Sequence, residues 1–312
     1  MKIITHTIFP FFLLCAISCQ NIQKDKSPII EVKDSVDTQQ VIQVIPTDSK
    51  PKIDTTIIRP APIRKDEGDQ SIPTKNSPKY RLRKYDNVTQ FYSRIAKSTT
   101  TICMENNVPP AAILAIAGLE SGWNQGYIGR ITGNILSLGT RKGDRELPAL
   151  RLPRLKSDKR ILFDSLEILK YRSDEVFLED RPPSLKKDYR PAPYAGTKYN
   201  LAYFKYHPDE KAQANIANLT DFVTVFISRK SRIPVYREAR KKMDDLVEVH
   251  GKEILLKEET AIQFVKAIGG KPYSFNFRET WPVKVTTIIK KAGLAQLTTE
   301  LYDNNVRFED AW

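Results

Sequence analysis

Cysteine and histidine are scarce in this chain, at three residues each. Cys15, Cys19 and Cys103 are too few and too scattered for a disulfide framework. His6, His207 and His250 lie far apart, so no zinc-type ligand spacing exists and neither a metal site nor a cofactor is expected. No apolar run approaches the roughly 20 residues that a membrane-spanning helix needs. No internal repeat is visible. Aromatic residues are missing altogether from Gln20 to Lys79, where Lys, Asp, Pro, Ser, Thr and Gln prevail. Such a segment cannot bury enough apolar surface to offset its ordering entropy, so residues 19–83 are expected to form a disordered tether. As a flexible coil the 64 residues from Gln20 to Arg83 would span about 45 Å on average and roughly 200 Å when stretched.

Ahead of the tether, Lys2 supplies the only positive charge before Ile8–Ser18, an uncharged and mostly apolar run of eleven residues. That length suits the h-region of a secretory signal. Ala16-Ile17-Ser18-Cys19 resembles the lipobox of bacterial lipoproteins, which implies removal of residues 1–18 and acylation of the Cys19 thiol. Gln20 stands where an inner-membrane retention aspartate would be, so the expected location is the periplasmic face of the outer membrane, with Cys19 as the lipid anchor.

Residues 84–312 carry nearly all the aromatics and are long enough for one substantial core. Of the formal net charge of +13, nine fall on this part. A basic surface favours polyanions; in an exported lipoprotein that points to anionic cell-wall polymer and away from nucleic acid.

Val88, Phe91, Tyr92, Ile95, Ile102 and Cys103 recur at helical spacing, with Asn87 and Gln90 resembling a capping box, and Cys103 falls on the apolar face as a buried thiol. Pro109-Pro110 then open a second helix in which Ala111 to Ala117 and Leu119 are apolar on every side, the mark of a buried helix. It closes at Ser121-Gly122. Further helices are expected over 221–230, 234–250, 258–268 and 280–292, with Gly251, Gly269-Gly270 and Gly293 as stops. Between about residues 140 and 218 six prolines fall from Pro148 to Pro193, and Arg160–Leu169 is the best strand candidate. The expected fold class is therefore mainly α (α+β), a helical domain with a smaller, partly β or irregular inserted lobe.

The chemistry gathers in Leu119-Glu120-Ser121-Gly122-Trp123. A glutamate in the last turn of a buried helix faces the negative end of the macrodipole, and apolar walls disfavour its ionised form, so its pKa should rise. A general acid for glycosidic cleavage needs that property. Trp123 offers a flat apolar face of the kind on which sugar rings stack.

The stretch Pro110 to Gly139, with Ile113-Leu114-Ala115-Ile116-Ala117 leading into Leu119-Glu120-Ser121-Gly122-Trp123 and then Asn134-Ile135-Leu136-Ser137-Leu138-Gly139, resembles the glucosaminidase family of peptidoglycan hydrolases (glycoside hydrolase family 73). Thr220–Ala239 and Ser274–Gly293 are similar as well. The resemblance implies a lysozyme-like fold, Glu120 as the catalytic acid and Asn134 as a residue of the cleft. The family's run of tyrosine, threonine and aspartate followed by a second tyrosine is replaced here by Tyr273-Ser274-Phe275-Asn276-Phe277-Arg278, with Trp281 at the second aromatic place. Tyr273 or Phe275 takes the first, and Tyr273 and Trp281 are expected to contact substrate. A second catalytic carboxylate is not singled out among Asp144, Glu146, Asp158, Asp164, Glu167, Asp174 and Glu175.

The resulting expectation is a lipid-anchored hydrolase that cuts peptidoglycan glycan strands after N-acetylglucosamine. A lytic transglycosylase or muramidase is the alternative within the enzyme class. A non-catalytic peptidoglycan-binding scaffold is the alternative outside it.

Overall fold

The computed structural model describes residues 80–140, 146–163, 165–181, 189–303 and 306–312. The signal, Cys19 and nearly all of the tether lie outside the described residues.

Among the described residues the fold is mainly helical with one small sheet. Its body is built around α2 (Pro110–Ser121), which α1 (Asp86–Glu105), α8 (Glu258–Ile268), α9 (Trp281–Ala292) and α10 (Leu294–Asp303) enclose. Every residue of α2 from Pro110 to Gly118 is buried, as an all-apolar helix requires. The small side chains let neighbours approach closely: a Cβ on Gly118 would come 2.7 Å from the Tyr92 hydroxyl. Helix α2 ends at Gly122, whose left-handed conformation (φ 55°) closes the last turn. In α1, Val88, Phe91, Tyr92, Ile95, Ala96 and Cys103 form the buried face. No capping box forms at Asn87 and Gln90, because α1 already begins at Asp86 and its start has no side-chain cap.

The strand expected over Arg160–Leu169 is not one. Leu162 is buried while Phe163 is exposed, and Ser165–Ile168 form a helical turn, α4. The sheet instead pairs β1 (Arg151–Leu155) with β2 (Val176–Asp180) antiparallel, placing Pro153 opposite Leu178. Both strands of a two-stranded sheet are edges, which is where proline is tolerated. Small apolar clusters such as Leu155, Leu162 and Ile168 hold this lobe together, apart from the main core.

The expected helix over 221–230 is the end of a longer one. After α3 (Tyr127–Thr132) and α5 (Tyr203–Tyr206), α6 (Pro208–Asp221) packs against α1 and α5 and passes into a π-helical turn, Phe222–Phe226. Its buried residues include Asn215 and Asn218, so the apolar period that would have revealed it is broken by polar side chains. Helix α6 packs along α1. Helix α7 (Pro234–His250) follows as expected. It carries Arg240, almost wholly buried, whose guanidinium donates to the carbonyls of Asn106, Val223 and Ile227 and so ties the ends of two neighbouring elements together.

Residues 80–83 already belong to the folded body. Arg83 donates to the carbonyls of Ala292 (2.9 Å), Gly293 (3.2 Å) and Ala311 (3.2 Å). Its guanidinium also lies between the rings of Tyr80 and Trp312, at 4.5 and 4.6 Å from their centroids.

Candidate active site

A cavity of about 720 Å³ is lined by the end of α2, by α3 and the loop after it, by Tyr189 and Arg181 from the lobe side, and by Arg278, Trp281 and Lys284 from the start of α9 and the loop before it. Its volume lies in the range of ligand sites, roughly 300 to 1,000 Å³. Glu120 stands in its wall. Among the described lining residues it is the one carboxylate.

Glu120 reaches this position because α2 is buried along its length and emerges only in its last turn. The Trp281 indole N–H donates to Glu120 Oε1 at 2.8 Å. Burial pushes the carboxyl above its usual range, while that hydrogen bond and the charge of Arg278 act in the opposite direction. With Oε1 held by the indole, Oε2 is the natural carrier of a transferable proton. Trp281 is itself fixed: it is almost fully buried, and its ring lies 5.5 Å from Phe275, which packs edge-on against Phe222 at 5.3 Å. The glycine stop at Gly269 makes room for it, since a Cβ there would sit 2.2 Å from Trp281 Cζ3.

The other expected site residues divide. Asn134 lines the cavity, but its amide is already occupied: Oδ1 accepts from Leu138 N (3.0 Å) and Asn218 Nδ2 (3.3 Å), and Nδ2 donates to the carbonyls of Leu138 (2.9 Å) and Tyr189 (3.4 Å). An asparagine has two donor hydrogens and one acceptor oxygen with two lone pairs, so Asn134 shapes the floor of the cleft rather than offering a free amide. Trp123 is not in the cavity wall; it has a left-handed backbone (φ 52°), packs against the main core and donates from Nε1 to the Tyr92 hydroxyl at 3.3 Å. Tyr273 is also placed away from the cavity and is 90 % exposed, leaving Phe275 as the aromatic behind Trp281. Cys103 is buried as expected, which pushes its thiol pKa up.

Of the candidate second carboxylates, Asp158 and Glu167 pair with Arg160, and Asp174 and Glu175 pair with Arg172; none of them lines the cavity. Glu146 is exposed and is not a lining residue either. Asp144 and Asp164 lie outside the described residues.

Sequence reasoning missed Tyr189, Arg181, Arg278 and Lys284. Arg278 closes the motif segment that starts at Tyr273, so its position was a signal. Tyr189 gave none: it sits in the proline-rich stretch, and only folding brings its hydroxyl to Asp221 Oδ2 at 2.7 Å, where α6 turns into the π-helical segment. π-Helical turns occur often at functional sites. Among the described residues no group of three or more His, Cys, Asp and Glu could hold a metal ion, and no helix is long and apolar enough to cross a membrane.

Comparison of the chain with protein-family models, with curated proteins and with solved structures finds no match.

Proposed function

We propose that this chain is a lysozyme-like peptidoglycan hydrolase, anchored through Cys19 at the periplasmic face of the outer membrane, that cuts glycan strands after N-acetylglucosamine. The observation that carries this reading is a half-buried glutamate with a raised pKa, held by an indole N–H in the wall of a cleft large enough for sugar rings. In this reading Glu120 delivers its proton to the glycosidic oxygen as the bond from C1 to that oxygen breaks. With Glu120 as the one carboxylate among the described lining residues, the carbonyl oxygen of the substrate's own 2-acetamido group closes onto C1. Glu120, now ionised, then takes a proton from the water that reopens this ring. The product is a strand ending in reducing N-acetylglucosamine.

The same single carboxylate favours a second reading, in which a hydroxyl of the cleaved sugar attacks its own C1 and an anhydro-sugar is released, as in lytic transglycosylases. Mass spectrometry of the fragments released from purified sacculi separates the two by product mass. Glu120→Gln keeps the side chain's shape but cannot donate the proton; release should fall at least about 10²-fold, the lower end of what general acid catalysis contributes. Wild-type release from a folded Glu120→Gln protein refutes the mechanism. Binding to sacculi without any released product, in wild type and variant alike, would assign the chain to the scaffold class.

A further inference from the structure

The aromatic side chains expected to meet substrate leave no open ring face in the cavity. Trp123 and Tyr273 lie away from its wall, and Trp281 is almost fully buried. Tyr189 is buried as well, and half-buried Tyr127 donates its hydroxyl to the Arg151 carbonyl at 2.8 Å. The remaining ring among the described lining residues is Phe163, and it is 49 % exposed.

The local fold sets this ring there. After β1 the chain turns back on itself: Leu155 N donates to the Arg160 carbonyl at 2.9 Å, and Leu162 N donates to the Pro153 carbonyl at 2.8 Å. Ile161 bridges to Arg154. Leu162 is drawn into the apolar cluster with Leu155 and Ile168, and in extended chain the next side chain points the other way. Phe163 therefore faces out of the lobe, into the cavity wall, and belongs to none of the apolar clusters among the described residues. Single exposed apolar residues are ordinary on a protein surface. Phe163 differs in lining the same concavity as Glu120, so core packing does not account for its place.

Exposed Ser137, Thr140 and Thr280 line that concavity too. Its occupant must offer hydrogen-bonding groups at its edges and an apolar face to the ring. A pyranose does both, because its hydroxyl and amide groups radiate from the rim of the chair while ring C–H groups form a flat face. Those C–H groups carry partial positive charge, which suits the negative face of a π-system. We propose that Phe163 is a stacking platform for one pyranose ring of the glycan, so that the inserted lobe supplies a sugar-binding subsite of the cleft. This rests on the reading of the cavity as a glycan cleft, though not on the bond being cut there.

The test is isothermal titration calorimetry of full-length protein carrying Cys19→Ser and Glu120→Gln with soluble peptidoglycan glycan strands stripped of their peptides. Phe163→Ala in that background should raise Kd about tenfold, a typical scale for one lost aromatic contact. Its Tm should stay the same, as for most surface substitutions. Phe163→Leu keeps the apolar bulk without a flat face and should bind as weakly as Phe163→Ala, whereas Phe163→Tyr should bind like the parent. With Glu120 intact, Phe163→Ala should raise KM on sacculi about tenfold with kcat nearly unchanged, the mark of binding shared by ground and transition states. Equal Kd for parent and Phe163→Ala overturns the platform while leaving the glycan cleft in place, and so does full rescue by Phe163→Leu. Strands that do not bind the parent protein at all overturn the glycan cleft and the platform together. Phe163-dependent binding without cleavage by the Glu120 protein upholds the platform and refutes hydrolysis.

Discussion

Gly269→Ala offers a severe test of the site, because it changes neither the acid nor any residue of the cavity wall. Gly269 has extended backbone (φ −145°, ψ 175°), which alanine adopts without strain, so the substitution acts through its methyl group alone. That methyl would lie 2.2 Å from Trp281 Cζ3 and 2.3 Å from Cε3, whereas ordinary contact begins at 3.4 Å. The indole must therefore retreat by roughly 1 Å, since overpacking in a dense core is relieved by moving side chains. It cannot do so and keep its 2.8 Å hydrogen bond to Glu120. Overpacking of this kind costs about 1 to 3 kcal/mol of stability. A misplacement of about 1 Å at a catalytic constellation costs about 10² in rate. Release of soluble fragments from dye-labelled sacculi should fall by about that factor, and the intrinsic tryptophan fluorescence should change with it. A folded Gly269→Ala protein with wild-type fluorescence and wild-type release would refute the assignment of Trp281 as the group that positions Glu120.

Three further outcomes are expected. Trp281→Phe removes the hydrogen bond that favours the Glu120 carboxylate, so the carboxyl should keep its proton to higher pH and the alkaline limb of the pH–rate profile should move upward; an unchanged limb would count against Glu120 as the acid. Glu120→Gln should gain stability relative to wild type as pH rises. A carboxyl whose folded pKa is raised contributes stability fully present below its unfolded pKa, and loses it as pH climbs through the window up to the folded value; parallel pH–Tm curves for the two proteins would contradict this. Cys19→Ser should abolish lipid labelling and release the protein from membranes, and labelling that persists would remove the anchor.

How far the sequence could be read depended on whether a residue's role was local. Helix α2 was legible because nine consecutive buried positions from Pro110 to Gly118 leave no polar face to misplace, and Glu120 was legible as the first acidic residue after them. Helix α6 was not, because Asn215 and Asn218 spend their amides on a distant loop and so occupy places that an apolar pattern would fill. The strand pair was hidden by Pro153, acceptable only because its sheet has no interior strand. Trp123 and Tyr273 looked like cleft aromatics from their neighbours in sequence, yet left-handed backbone at both (φ 52° and 58°) helps turn them elsewhere. Tyr189 lies more than thirty residues from Asp221, and nothing short of the folded chain pairs them.

The Arg83 clamp has a mechanical meaning. A chain anchored ahead of Tyr80 transmits any pull into the folded body at the point where that body's first and last residues meet, and Arg83 there holds three carbonyls between two rings. Two of those carbonyls, on Ala292 and Gly293, terminate α9, the helix that begins with Trp281. Under the proposed anchoring, tension would enter the far end of the helix whose first residue, Trp281, hydrogen-bonds Glu120. On the proposed function, the Arg83 contacts would then keep the Glu120 edge aligned while the moored body is drawn along its polymer.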